Sequence, residues 1–191
     1  IDDSDAGVEQ CLLALEQLSL NTQVETITEQ PLCQSLFYSK AMEILSNIVL
    51  VTYFSGGGAS YYFYTQHLIN LSLKHGNCAG STLGYIVYGA IKVTQGDYQY
   101  AAVMGKLALS LAHKIGDTDN LARILLYDVG MLRHWQVNLH ELAPPFLDAY
   151  RHASSIGSSM HSSNAAASRN IALFMAGHEL KTLADSMGHF S

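Results

Sequence analysis

Apolar residues recur three and four positions apart along most of this chain, and short clusters of Gly, Asp and Asn separate the periodic stretches. That spacing predicts amphipathic helices, and no stretch shows the strict alternation of a strand ladder. Val8, Leu12, Leu15 and Leu18 share one face of a first helix over residues 8–18, and the polar, Thr-rich residues 21–30 read as a loop. Pro31 suits the first turn of a helix, where its missing N–H costs nothing. That helix is expected to run to about Phe54, with Leu36, Met42, Leu45, Ile48 and Val49 in the core. Gly56-Gly57-Gly58 breaks it. Further helices are expected over 60–75, 79–95, 98–115, 118–136, 140–156, 158–176 and 178–187, about eight or nine in all. Gly76-Asn77 ends one of them, since Gly tolerates the left-handed conformation just past a helix end. Gly96-Asp97, Gly116-Asp117, Val137-Asn138, Gly157 and Gly177 separate the others. Asp97, Asp117 and Asn138 can each cap the helix that follows, and Asn138 with Glu141 has the spacing of a capping box. Pro144-Pro145 falls inside that helix and predicts either a kink or a true start near Ala143.

Short helices of similar length joined by two- or three-residue links read as stacked antiparallel hairpins, and roughly 34–40 residues per pair is the spacing of a helical solenoid. A non-repeating helical bundle is the alternative. The clearest unit is 82–115, which follows the tetratricopeptide pattern with Tyr85 at the first aromatic site, Gly89 at the close-packing glycine, Gly96 and Tyr98 at the inter-helix turn, Ala101 at the small site and Ala108 near the end. Helices approach closely only where small residues face each other, so Gly89, Ala101 and Ala108 are expected at the contacts with Tyr85 and Tyr98 filling the space beside them. The unit departs from the pattern at the second-helix aromatic site, occupied by Gly105, and at the terminal proline, occupied by His113. Weaker units follow, over 121–150 with Gly130, Trp135 and Ala149, and from Ser158 onward with Ala167 and Gly177. The expected architecture is all-α: a single domain over 1–191 forming a divergent, tetratricopeptide-like, right-handed solenoid.

Several strings point further. They are Ala41-Met42-Glu43-Ile44-Leu45-Ser46, Leu71-Ser72-Leu73-Lys74-His75-Gly76-Asn77, the segment 85–89, Gly96-Asp97-Tyr98, Lys106-Leu107-Ala108-Leu109, Arg133-His134-Trp135 and Asp148-Ala149-Tyr150. In this order the chain resembles, from about Leu12 to Leu180, the helical-repeat region of very large multi-sensor signalling kinases. In that family a kinase-like segment and an AAA-type ATPase domain precede the repeats, and GAF and histidine-kinase domains follow. The resemblance implies a cytosolic connecting or sensing segment with no catalytic residue of its own, cut from a longer polypeptide.

Composition narrows the partners. Hydrophobic residues make up 49% of the chain and charged ones 14%, which argues against disorder and leaves apolar surface for a partner or neighbouring domain. The formal net charge is −6 and the ten Lys and Arg residues are dispersed, so a nucleic-acid role is not expected. The longest mainly apolar run, 44–54, is too short to span a bilayer, and residues 1–5 lack the basic and apolar regions of a signal peptide. Cys11, Cys33 and Cys78, odd in number and widely spaced, suit reduced thiols in a cytoplasmic protein.

Motifs tested for chemistry read as structure. The segment 76–82 has one residue too few between its glycines for a phosphate loop and lacks its lysine, so it reads as an inter-helix turn. His178-Glu179 begins like a zinc-protease helix without the second His. No Ser or Cys sits in a strand-turn-helix elbow, and no cofactor or metal is expected. Trp135 is expected to fill the space between hairpins, with His134 capping its helix C-terminus; an anchor for a ligand is the other reading. Tyr61, Tyr62 and Tyr64 cover more than one helix face, so at least one is expected to be exposed.

Ligands of tetratricopeptide arrays bind mainly the concave face formed by the first helix of each pair. In the clearest unit that face carries Leu83, Ile86, Val87, Ala90, Val93 and Thr94. These are apolar or small where a peptide-carboxylate clamp needs Lys, Asn and Arg, so the face is expected to bury an apolar helix, either a partner's or the chain's own segment after Gly177. Three functions compete: a non-catalytic connecting module, a small-molecule sensor with an apolar inter-helix pocket, and an enzyme, which would need clustered titratable residues in a cleft.

Overall fold

The computed structural model describes residues 5–21 and 24–188; the expectations for residues 1–4 and for the Leu18 side chain lie outside the described residues. Within them the chain is all-helical, with ten α-helices: α1 (Asp5–Asn21), α2 (Val24–Glu29), α3 (Leu36–Phe54), α4 (Gly58–His75), α5 (Ala79–Thr94), α6 (Tyr98–Ile115), α7 (Thr118–Tyr127), α8 (Leu139–Ser155), α9 (Ser159–Met175) and α10 (Leu180–Gly188). A π turn, Asp128–Leu132, and a 3-10 turn, Arg133–Trp135, prolong α7 toward α8.

Much of the punctuation sits where the sequence places it, although the Asn138 side chain makes no capping bond to α8. Asp97 and Asp117 accept from the Tyr100 and Asn120 backbone N–H groups at 3.0 and 3.1 Å and so cap α6 and α7. Gly116 ends α6 in the left-handed conformation that its missing Cβ permits. Three expectations are corrected. The Thr-rich stretch contains the short helix α2, which raises the helix count to ten. Pro31 does not open a helix: residues 31–35 are non-helical, Cys33 N–H donates to the Asn77 carbonyl at 2.9 Å, and Ser35 caps α3. And α8 begins at Leu139, with Pro144 and Pro145 inside it, not near Ala143.

Helix α5 is the centre of the molecule. Thirteen of its sixteen residues are buried, and α3, α4, α6, α7 and the π turn all pack on it. Three glycines make this possible. A methyl on Gly80 would come within 2.5 to 2.8 Å of the Met42 and Glu43 backbone on α3. One on Gly84 would press on Leu68 of α4 at 3.0 Å, and one on Gly89 on Leu132 at 3.0 Å and Met104 of α6 at 3.2 Å. Gly80 thus admits α3, Gly84 admits α4, and Gly89 admits both α6 and the π turn. Ala101, Ala108 and Tyr85 are buried as well, and the Tyr85 hydroxyl donates to Asn77 Oδ1 at 2.8 Å.

The N-terminal segment covers the other side of α5. The Tyr88 hydroxyl donates to the Leu15 carbonyl at 3.2 Å, Gln95 reaches Glu16 at 3.2 Å, and Asn77 Nδ2 donates to the Ile27 carbonyl at 3.1 Å. Leu15 and Ile27 join the central core. The segment after Gly177 goes elsewhere: α10 packs on α9. The segment after Gly177 thus does not cover the predicted face of α5, and α1 packs chiefly on α4, reaching α5 through Tyr88 and Gln95.

The π turn has a visible cause. Arg133 N–H bonds to the Asp128 carbonyl five residues back, and the side chains of the same two residues form an ion pair. Asp128 is buried and lies against Gly105, where a Cβ would collide with its carboxylate. That explains why Gly105 stands where the repeat pattern places an aromatic residue. Desolvation raises the Asp128 carboxyl above the usual carboxylate range, opposed by Arg133.

Candidate functional site

The two ends of the central helices frame two clefts. The first, about 380 Å³, lies at the C-terminal ends of α3 and α5 and the start of α4 and is closed by the turns after α7. Gly56 and Gly57, both at positive φ, reverse the chain and bring Tyr53 of α3 beside Tyr61 of α4, with ring centroids 5.7 Å apart. Tyr62, Ala90, Val93, Thr94, Met131, His134 and Trp135 complete the lining. Burial pushes the Tyr61 phenol up and the His134 imidazole down, so both are neutral near pH 7. His134 Nδ1 is buried with no hydrogen-bond partner, so His134 is a neutral wall of the cleft and not a cationic cap. The Thr94 hydroxyl is committed to the Ile91 carbonyl at 2.7 Å. Among the described lining residues there is no carboxylate, Ser or Cys, so this cleft offers stacking and apolar contact and lacks a nucleophile–base pair.

The six residues expected on a binding face separate into two groups. Ala90, Val93 and Thr94 line this cleft. Leu83, Ile86 and Val87 are wholly buried, because α3, α4 and α7 close over α5; they have no surface to offer a partner, and that part of the expectation is corrected. Gly96 makes its positive-φ turn as expected. Tyr98 and Trp135 do not fill internal space. They are 40% and 54% exposed and stack on each other, with centroids 6.1 Å apart. None of Tyr61, Tyr62 and Tyr64 is fully exposed: the first is buried and the others half-buried.

The second cleft, about 430 Å³, lies at the opposite ends of the same helices and is polar. Lys40 and Glu43 of α3 pair at 2.7 Å on its rim. Asn120 of α7 is buried, donates to the Thr82 hydroxyl at 2.9 Å, and accepts from Arg123 Nη2 at 2.9 Å. His161 of α9 contacts Ser158 Oγ through Nδ1 at 2.9 Å. Sequence alone does not reveal this site, because Asn120 and Arg123 of α7 lie far along the chain from Lys40 and His161 and none of them belongs to a recognisable motif.

A third surface is an apolar groove between α9 and α10, lined by Ile171, Phe174, Leu180 and Leu183. His140 and His178 meet beside it, Nδ1 to Nε2 at 3.3 Å, but no group of three or more metal-type side chains occurs among the described residues. Cys11, Cys33 and Cys78 are free thiols. No helix among the described residues is long and apolar enough to cross a membrane.

No protein-family model matches this chain, and no curated protein matches it.

Proposed function

We propose that the chain is a non-catalytic connecting module of a larger, cytoplasmic signal-transduction protein, built as a divergent tetratricopeptide-like stack of helical hairpins. Supporting the stack, α3 packs on α4 and α5 on α6 as sequential antiparallel neighbours, while α3, α5, α7 and α9 adjoin one another in chain order. The observation that carries the function is the pair of apolar faces left open at the two ends of that order. At one end α3 exposes Phe37, Ile44, Val51 and Phe54; at the other, α9 and α10 expose Ile171, Phe174, Met175 and Leu180. Contiguous apolar surface of this kind marks a contact with another protein element, and in a helical stack the next helix is the element that fits.

Hydroxyl-radical footprinting of Phe37, Ile44, Phe174 and Met175 tests this, comparing the isolated chain with the full polypeptide encoded by its reading frame. Protection of both faces in the full polypeptide is expected, with flanking ATPase and histidine-kinase domains in the frame. Equal labelling in the two samples would sink the connector reading. The aromatic cleft supports a second reading, a small-molecule sensor, because it combines apolar rings with a buried, unpartnered His134 nitrogen.

A further inference from the structure

The polar cleft holds a guanidinium that the fold does not neutralise. Arg123 is half-buried, its Nη2 donates to a neutral amide, Asn120 Oδ1, and its Nε is buried with no hydrogen-bond partner. Among the described residues no carboxylate lies within ion-pair distance of it. A desolvated cation with no counter-charge is costly, and an unmade buried donor adds to that cost. Across the same cleft His161 has the complementary defect. One ring nitrogen is engaged by Ser158, and the other, Nε2, is buried and unpartnered. The side chains that carry these two orphaned nitrogens come from different helices and line one cavity large enough for a small molecule.

The opposite charge is present too, but it is not spent on Arg123. Asp117 and Asp119 line the cleft. Asp117 caps α7, and Asp119 has no ion pair among the described residues. Asp117 and Glu43 act electrostatically on Arg123, and Asp119 on His161, so all of these groups share one field. A simple anion would meet the two aspartates; a simple cation would meet Arg123. A molecule with both charges satisfies both halves.

We propose that this cleft binds a small zwitterion carrying a carboxylate and an ammonium group, a free amino acid or a short peptide with free ends. The carboxylate pairs with the Arg123 guanidinium and with His161 Nε2–H once rotation of the two side chains opens them to the cavity, His161 being in the tautomer in which Ser158 donates to Nδ1. The ammonium is held by Asp119. This goes beyond the connector reading: the cleft adjoins the open face of α3 at Lys40 and Asn47, but its ligand is held by polar groups and not by the apolar residues of that face, so either can fail without the other.

The test is titration calorimetry and thermal shift on the chain with the common free amino acids and with trialanine, each beside its C-terminal amide and its N-acetyl form. At least one zwitterion is expected to bind with Kd on the order of 1 mM or tighter. Amidation, acetylation, Arg123→Met and Asp119→Asn are each expected to weaken it about tenfold or more, the loss that follows from removing a charged hydrogen bond. Tighter binding of trialanine than of alanine would assign the peptide form; the reverse would assign the free amino acid. If Arg123→Met unfolds the chain, the blocked ligands and the exposed Asp119→Asn decide alone. No binding by any zwitterion at millimolar concentration, or binding unaffected by blocking either end, would overturn the proposal.

Discussion

Helices α5 and α9 differ by one residue in length, sixteen against seventeen, and both are first members of a hairpin in the proposed stack, yet the protein uses them in opposite ways. Helix α5 buries thirteen residues and meets neighbours on every side, three of them through glycines. Helix α9 buries only Ala165, Ala166, Ala172 and Leu173, lays its alanines on α8, and leaves Ile171, Phe174 and Met175 outward. The difference lies in which positions are small. Glycines at three points around α5 admit α3, α4 and α6, whereas α9 lays its small residues mainly on α8, touches α7 and α10 more lightly, and keeps Ile171, Phe174 and Met175 exposed. An apolar helix face between neighbours is core; in the proposed stack the same face at an end is the contact surface.

Substitutions can break that contrast. Gly80→Ala should have the largest effect, because its methyl would strike α3 backbone, which has no flexible end to move aside. The expected loss is about 3 kcal/mol despite a better helix propensity, read as a lower urea midpoint at unchanged slope. A substitution by alanine at an exposed site of α9, Asn164→Ala, should fall within about 0.5 kcal/mol of wild type. Similar outcomes at both sites would mean that α5 is no more tightly held than α9.

Next comes Tyr85→Phe, which strands Asn77 Oδ1 in the interior without its donor and should cost about 1–2 kcal/mol in the same unfolding measurement. Asp128 adds a pH signature. Its folded-state pKa is raised by desolvation, so its stabilising contribution is complete below the ordinary value of 3.8 and is lost as pH rises through the raised one. Relative to Asp128→Asn, the wild type should lose stability as pH climbs from about 4. A relative gain over that range would show that Arg133 outweighs burial. The smallest change in stability is expected for Phe174→Ser, which is 57% exposed: no more than about 0.5 kcal/mol, but clearly weaker retention on a hydrophobic-interaction column.

Local chemistry explains which parts of the fold could be read in advance. Asp97, Gly116 and Asp117 act within one turn of chain, and their roles follow from backbone geometry alone. The close-packing role of Gly89 was legible from the repeat pattern, although its partners Leu132 and Met104 were not. The burial of Leu83, Ile86 and Val87 was hidden because hydrophobic periodicity shows that a face is covered and never by what. The placement of the segment after Gly177 has the same root: its apolar residues show that it needs cover, and only the folded chain shows that α10 finds it on α9. Pro144 and Pro145 left two alternatives open in the sequence, a kink or a start near Ala143, and the helix runs through them. A proline in a helix interior is disfavoured but not forbidden, and here Leu142, Ala143 and Phe146 are buried around them. The polar cleft was illegible altogether, since its residues converge only once α3, α5, α7 and α9 are assembled.

The wide turn at Asp128–Leu132 sets a phase. In an α-helix each residue advances the side-chain direction by about 100°, so a deletion within this turn, returning it to α geometry, would swing everything after it by roughly that angle. Trp135 would leave its stack on Tyr98, and α8 would set out on a different bearing. The Asp128–Arg133 pair and the space made by Gly105 thus act as a timing mark: they fix how the second half of the chain is clocked against the first. A length change of one residue at this point would be felt further along the chain than any single exchange of side chain.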